Sequence, residues 1–345
     1  MLTQEQIAEI REHLEASQNP LFFFDNDVDG LCAFLILRRA VGRGRGIPIK
    51  SFPELKEQYL RKVEEINPDS VFILDKAEVS ADFIKGVRKK GLPIIWIDHH
   101  ETKTPKEIIR QTFYYNSVPE FEPVTYLAQK VFDRKEDLWL ALIGCIGDVY
   151  MPDFAGKFAE DFPELFNSNI PAFDALHCTE IGRVVRMLNF GLMDTTTNVI
   201  SLIRYLFKAE GVYDILEENF YTRSFHKRYE KLNDFYNKQI GKAESNLNKN
   251  SHLLFFSYSG SISMSSEIAN GLYFKHPDKF VVVLFKRPDK INISIRGKNA
   301  LEITKKVIEK IPYSTGGGHK EATGAMIPVD QLDNFKEEVN KEVNQ

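Results

Sequence analysis

Cysteine is scarce in this chain: three residues, Cys32, Cys145 and Cys178, far apart and odd in number among 345 positions. That excludes a disulfide-stapled secreted scaffold and suits a reducing cytoplasm. Cys32 and Cys145 sit in apolar helical patterns and read as buried thiols. Long hydrophobic runs are missing too. No apolar stretch reaches spanning length, and the opening MLTQEQIAEIREHLEAS reads as a polar amphipathic helix without a signal-peptide core. A cytoplasmic protein with no membrane partner is expected. Positive charge is not in excess: Lys and Arg number 45 against 49 Asp and Glu, a net charge of -4. Any nucleic-acid site must therefore be a local patch. Internal repeats and low-complexity tracts are absent. What is present is an apolar fraction of 43%, ample for packed cores. At this length, two domains are the natural expectation.

The first 130 residues alternate between strand and helix patterns. Leu21–Phe24, Ile47–Phe52, Val71–Leu74 and Ile94–Ile97 read as buried strands, and Leu31–Val41, Glu54–Glu65 and Ala81–Lys90 as helices. This βαβ rhythm predicts an α/β fold with a parallel sheet. Arg43-Gly44-Arg45-Gly46 reads as a basic loop, either a plain turn or a substrate contact. From Pro123 to Phe207 the pattern turns helical, with Pro123–Phe132, Leu138–Ile146, Val184–Asn189 and Asn198–Phe207 as helices. Asp153–Asn169 has no clean period and reads as irregular. Its aromatics Phe154–Phe166 form a packed cluster or a base-stacking surface. From Glu217 to Leu247, Tyr221, Phe225, Tyr229, Leu232, Tyr236, Ile240, Ala243 and Leu247 mark one apolar stripe on a charged helix, a candidate connector. A second, smaller α/β unit follows. It has strands at His252–Phe256, Phe280–Phe285, Asn292–Arg296 and Met326–Pro328, helices at Ser266–Phe274 and Leu301–Ile311, and a terminal helix.

Acidic residues gather where the apolar runs stop. The first cluster is Asp25-Asn26-Asp27-Val28-Asp29-Gly30. Asp75 closes Val71–Leu74, Asp98-His99-His100 closes Ile94–Ile97, and Asp148 follows Gly144-Cys145-Ile146-Gly147. In an open parallel sheet the carboxyl ends of the strands form one rim, where ligands bind. Crowded carboxylates repel unless a cation joins them, and hard divalent ions take oxygen ligands with some imidazole. The economical reading is a two-metal hydrolase. In extended chain the period of two would put Asp25, Asp27 and Asp29 on one side. Gly30 would open a helix whose free N–H groups suit a phosphate. A calcium loop is excluded, because Ile36 stands where the bidentate glutamate of such a loop belongs. Taken alone, Asp75 and Asp148 read equally as caps. The glycines of Thr315-Gly316-Gly317-Gly318-His319-Lys320 would let backbone N–H groups form a concave anion nest.

These motifs, in this order, resemble the DHH phosphoesterase superfamily, in the RecJ-like and nanoRNase-like branch with a carboxy-terminal DHH-associated domain. Asp98-His99-His100 matches the name motif. Asp25–Gly30 matches the first motif, Asp75 the second and Asp148 the fourth. Gly316-Gly317-Gly318-His319, with Ser294-Ile295-Arg296 before it, matches the associated domain. The resemblance implies a catalytic domain over 1–207, a helical connector over 208–250 and a substrate-binding domain over 251–345.

It also implies a site. Asp25, Asp27 and Asp75 would hold one metal, and Asp29, Asp75, His99 and Asp148 the other, with Asp75 bridging. His100 would face the scissile phosphate, and Asp98 would orient the histidines. The ions would be manganese, with magnesium as the alternative. Arg296, Gly316, Gly317, Gly318 and His319 would grip a substrate phosphate. Two positions depart from many relatives: Asp25 stands in place of histidine, and Lys76 follows Asp75 where histidine is common. A cation at Lys76 would contact substrate or depress activity.

The function so implied is a metal-dependent phosphodiesterase or exonuclease acting on single-stranded DNA or RNA ends or on short oligonucleotides. A cyclic-dinucleotide phosphodiesterase is the alternative within the enzyme class, and a catalytically inactive replication scaffold the alternative outside it. A homodimer, or association with replication and repair proteins, is the partner expectation beyond the nucleic acid. Polarity of digestion and sugar preference are not written in these motifs.

Overall fold

Runs of buried Phe, Ile, Leu and Val without polar alternation can sit only in strands covered on both faces. The computed structural model describes residues 1–50, 54–247 and 251–343. Phe52, the expected end of the second strand, lies outside these residues, as do 248–250 of the expected connector. The chain divides into two units, Met1–Arg228 and Tyr229–Gln345.

The first unit opens with α1 (Gln4–Ala16), β1 (Pro20–Asp25), α2 (Val28–Val41), β2 (Arg45–Ile49), β3 (Glu54–Leu55) and α3 (Leu60–Ile66). It continues with β4 (Ser70–Leu74), β5 (Glu78–Val79), α4 (Ala81–Lys89), β6 (Ile94–Asp98), α5 (Lys106–Ile109) and β7 (Phe113–Asn116). Helices follow: α6 (Val124–Phe132), α7 (Leu138–Gly147), α8 (Ala155–Asp161), α9 (Ala172–Cys178), α10 (Glu180–Leu192), α11 (Thr196–Leu206) and α12 (Val212–Leu216). The division between the units falls inside α13 (Arg223–Ser245).

The main sheet runs β2-β1-β4-β6-β7, all parallel. One face packs Leu21, Phe23, Val71, Ile73, Ile94 and Trp96 on Phe83, Ile84 and Val87 of α4 and on Val63 of α3. On the other face Phe34 of α2 stacks on Phe24 at 4.9 Å and meets Phe22 at 5.3 Å. Each such side chain contributes about 1.5–3 kcal/mol by leaving water. The strand order reverses at β1, whose neighbours are β2 on one side and β4 on the other. Phe24 pairs with Leu74 and Leu74 with Ile97. Asp25, Asp75 and Asp98 therefore end three adjacent strands side by side, at the switch point where open α/β sheets bind ligands.

Several local expectations are corrected. Glu54–Glu65 is not one helix: Glu54–Leu55 pairs in parallel with Glu78–Val79, and α3 starts only at Leu60. Asp153–Asn169 contains α8, and its aromatics are packed, with Phe158 5.0 Å from Phe162 and 6.4 Å from Phe166. Arg43 is a brace, donating to the carbonyls of Glu15 and Ser17 at the end of α1. Arg45 and Gly46 already belong to β2. Tyr221 precedes α13 and is exposed, whereas Phe225, Leu232, Tyr236, Ile240 and Ala243 of the expected stripe are buried.

In the second unit a mixed sheet is built from β8 (Leu253–Tyr258), β9 (Phe280–Lys286), β10 (Lys290–Arg296), β11 (Thr315–Gly318) and β12 (Ala322–Pro328). Its order is β11-β12-β10-β9-β8, with only the β8–β9 pair parallel. Its helices are α14 (Ser265–Lys275), α15 (Ala300–Glu309) and α16 (Leu332–Val343). The glycine run expected as a loop is the edge strand β11, and Met326–Pro328 is only the end of a seven-residue strand.

Candidate metal centre

The acidic motif folds as a strand-to-helix corner rather than as extended chain. β1 stops at Asp25, and Asp27 is the N-cap of α2, its Oδ1 accepting from Gly30 N at 3.0 Å. The Gly30 N–H is thus spent on the cap and is not offered to a phosphate. Gly30 is required for another reason: a Cβ there would meet Asp25 O at 2.6 Å. Asp29 lies in the first turn of α2. Its carboxylate accepts from Val124 N at 2.9 Å and Thr125 N at 2.8 Å, the first free N–H groups of α6.

Asp75 follows β4 with φ +57, a left-handed conformation that ends the strand alternation. Its backbone N–H bonds Ile97 O at 3.0 Å. His99 is almost fully buried between two carboxylates, with Nε2 3.3 Å from Asp75 Oδ1 and Nδ1 3.5 Å from Asp148 Oδ2. His100 is more open, its side chain 28% exposed, and Nδ1 lies 3.0 Å from Asp98 Oδ1. Asp98 orients His100 through both the ring and the backbone N–H, the latter at 3.1 Å. Asp148 caps the carboxyl end of α7. That is the wrong end of a helix dipole for an anion, so the placement serves the centre and not the helix.

The structure brings together Asp29, Asp75, His99, His100 and Asp148. Ligand atoms of Asp75, His99 and His100, and of Asp29, His99 and Asp148, lie within 4.8 Å of one another. Asp25 and Asp27 belong to neither group. Asp25 Oδ1 instead accepts from Lys76 Nζ at 3.0 Å and from Asn26 N at 2.9 Å.

Burial raises Asp29 to about 8, helped by the charge of Asp75. Burial also raises Asp25, against the pull of Lys76, and Asp148, against that of His99. Asp27 goes well above the usual range through burial and the charges of Asp75 and Asp25. Asp75 is the exception. Burial disfavours its charge, but the close approach and charge of His99, with the charge of His100, outweigh it and hold it down to about 2. His99 rises well above its ordinary value, as Asp148 and Asp75 overcome the cost of burial. His100 also rises, Asp98 offsetting its burial.

These residues fit a divalent cation. Asp75 Oδ1 is buried and, among the described residues, makes no hydrogen bond of good geometry. Carboxylate oxygens with one buried imidazole are the donors that Mn²⁺ or Mg²⁺ takes.

Sequence reasoning missed β7. Its last residue, Asn116, donates to Asp98 Oδ2 at 3.4 Å and to His100 O at 2.9 Å. The signal was present in Phe113-Tyr114-Tyr115-Asn116, a short aromatic run closed by a polar residue, the same layout as the other strands.

In the second unit, Gly316, Gly317 and Gly318 pair with Ala325, Gly324 and Thr323. They form an extended edge, not a concave nest, and exposed His319 begins the turn to β12 with its N–H on Ala322 O. Arg296 is buried. Its guanidinium donates to Asn270 Oδ1, Ile295 O, Thr323 O and Ser266 Oγ, and burial brings it down to about 10. It braces the sheet and α14.

The DHH family N-terminal domain matches residues 21–137, and the DHHA1 domain matches residues 254–345, together more than half of the chain. The chain belongs to the DHH superfamily, with a carboxy-terminal DHHA1 domain. RecJ from Thermus thermophilus in complex with Mn²⁺ has the same fold, with a TM-score of 0.70 at 15% identity over 99% of this chain. This DHH chain spans 55% of that RecJ. An exonuclease RecJ bound to manganese gives a TM-score of 0.65 at 15% identity, over 100% of this chain and 96% of that one. Cdc45 from Entamoeba histolytica gives 0.53 at 10% identity, over 98% of each chain. Identities this low show the fold alone. No curated protein matches the chain. DHH membership places it in a superfamily of phosphoesterases, and no described helix is long and apolar enough to cross a membrane.

Proposed function

We propose that this chain is a metal-dependent phosphodiesterase acting on single-stranded nucleic-acid ends or short oligonucleotides, with Mn²⁺ as its working ion. One observation carries the reading. At the carboxyl ends of β4 and β6, a carboxylate oxygen of Asp75 without a good hydrogen bond faces a buried imidazole, with Asp148 on the other side of that ring. Asp29, Asp75, His99 and Asp148 would hold the ion. A divalent ion there supplies charge neutralisation at phosphorus and an acidified water. His100 has a different task. Its side chain opens outward, Asp98 fixes its ring, and its raised affinity for a proton makes it a donor to a non-bridging phosphate oxygen. Asn116 holds the backbone of His100 and the carboxylate of Asp98, so the donor keeps its aim. The edge strand Thr315–Gly318 gives a second phosphate contact through backbone N–H groups.

The test is digestion of end-labelled DNA and RNA oligomers of graded length in Mn²⁺, with chelation as the control. Release of mononucleotides that stops on chelation is expected. If pure protein leaves every linear and cyclic oligomer intact in Mn²⁺ and in Mg²⁺, the enzymatic reading fails and an inactive scaffold replaces it.

A further inference from the structure

Lys76 is a lysine in a place where lysine is costly. Its side chain is 1% exposed, and its ammonium meets Asp25 Oδ1 at 3.0 Å. A buried charge persists only when paired, and this one is paired with a carboxylate that the family resemblance assigns to a metal.

The backbone fixes the arrangement. Asp75, at φ +57, breaks the alternation of β4 just before Lys76. The indole of Trp96, itself fully buried in the neighbouring strand, donates to Lys76 O at 2.9 Å. The lysine is therefore pinned at its backbone and covered along its stem.

The acceptors nearby are also committed. Asp25 Oδ1 takes both the ammonium and the Asn26 N–H, and Asp27 Oδ1 takes the Gly30 N–H as the cap of α2. The metal-spaced groups, by contrast, use Asp29, Asp75, His99, His100 and Asp148 and leave out Asp25 and Asp27. A divalent ion placed on Asp25 would sit against the Lys76 ammonium, whose own side chain is buried and so poorly screened.

We propose that the Lys76 ammonium stands where a two-ion centre carries its second cation, so that this chain holds a single divalent ion, on the side of Asp29, Asp75, His99 and Asp148. The inference rests on the metal-dependent reading above and changes its stoichiometry. Lys76 neutralises the Asp25 side of the cluster permanently, and the exchangeable ion serves the other side.

The experiment counts ions without measuring activity. The metal-stripped full chain is titrated with Mn²⁺ by calorimetry, and the loaded protein is examined by electron paramagnetic resonance. Two ions about 3.5–4 Å apart would couple magnetically, and a lone ion gives an uncoupled spectrum. One Mn²⁺ per chain with an uncoupled spectrum is expected, and Lys76→His should gain a second, coupled ion. Two coupled ions in the unaltered chain would overturn the inference and leave the phosphodiesterase reading intact. No bound ion would remove both. A Lys76→His chain that folds and still binds one ion would show that Lys76 does not exclude the second, and would overturn the assignment.

Should Lys76→His fail to fold, two isosteric changes locate the ion. Asp148→Asn should weaken Mn²⁺ binding about tenfold or more, while Asp27→Asn, which keeps its cap acceptor, should change it little. The reverse order would overturn the proposal.

Discussion

The two sheets carry their candidate chemistry at their margins by opposite means. In the first, β1, β4 and β6 end in charged side chains that are buried or half-buried, mutually repelling and held by specific partners: Lys76 on Asp25, His99 on Asp75, the N-terminus of α6 on Asp29. In the second, the edge strand Thr315–Gly318 offers backbone with almost no side chain, and the cation two strands away, Arg296, is spent inside the domain. A centre of the first kind is built from charge that the fold tolerates at a cost. An edge of the second kind costs little and binds only what approaches it closely. The two should therefore answer substitution in opposite ways.

The largest effect belongs to Asp75. Asp75→Asn keeps the shape, and asparagine tolerates the left-handed backbone that alanine would strain. Hydrolysis of any phosphodiester in Mn²⁺ should fall by roughly a thousandfold, with loss of bound metal measured on the same sample. Near-native turnover would take Asp75 out of the centre and erase the contrast between the sheets.

Arg296 sharpens the comparison from the other side. Arg296→Ala leaves the Thr323 carbonyl, Asn270 and Ser266 without their donor, and the cavity is buried. A loss of about 3 kcal/mol in denaturant unfolding follows. If stability stays level while KM for oligonucleotides rises, Arg296 grips substrate, and the second margin uses side-chain charge after all.

The α/β sheet of the first unit was readable because each strand is an uninterrupted apolar run closed by an acid, and the rim rule then brings Asp25, Asp75 and Asp98 together. The DHH resemblance supplied roles that no spacing could supply. What sequence left out was set by tertiary context. Nothing local in Asp27 and Asp29 says that one caps α2 and the other the start of α6. Lys76 reads as a cation that would contact substrate or depress activity, and nothing local says that the Asp75 turn and the Trp96 indole help to bury it against Asp25. Thr315–Gly318 lacks every β-forming side chain beyond its first residue, and it is a strand only because β12 pairs with it.

Charge repulsion in the first margin gives an effect of intermediate size in the metal-free protein. Asp29 and His99 keep protons in the folded state that the unfolded chain releases near 3.8 and 6.5. Their contribution is complete at low pH and is lost as pH rises through about 8 for Asp29. Metal-free Tm should therefore fall between about pH 5 and about pH 9, and saturating Mn²⁺ should flatten the slope. Asp27→Asn removes a charge that burial and its neighbours disfavour, so the metal-free variant should melt about 2 °C or more higher at pH 8. Asp75→Asn should melt lower, because the neighbouring histidines stabilise Asp75 as an anion. Equal shifts in the two variants would mean that the carboxylates do not sense one another.

The smallest effect tests the second margin by itself. A Cβ at Gly317 meets nothing within 4 Å, whereas one at Gly316 would press on Gly324 O at 3.0 Å, and Gly318 sits at φ +140. Gly317 is thus the one glycine of the run where a side chain can be added without strain. Valine is at home in an edge strand, so Gly317→Val should leave Tm unchanged. If phosphate approaches this backbone, the two methyl groups block it. Losing a charge-assisted hydrogen bond worth about 1.5–3 kcal/mol should raise KM for oligonucleotides about tenfold or more. A small chromogenic phosphodiester that reaches only the metal centre should be hydrolysed as before. An equal loss on both substrates would mean that the glycine edge supports the first unit's chemistry. No loss on either would leave the edge strand a structural margin and return all recognition to the carboxylate rim.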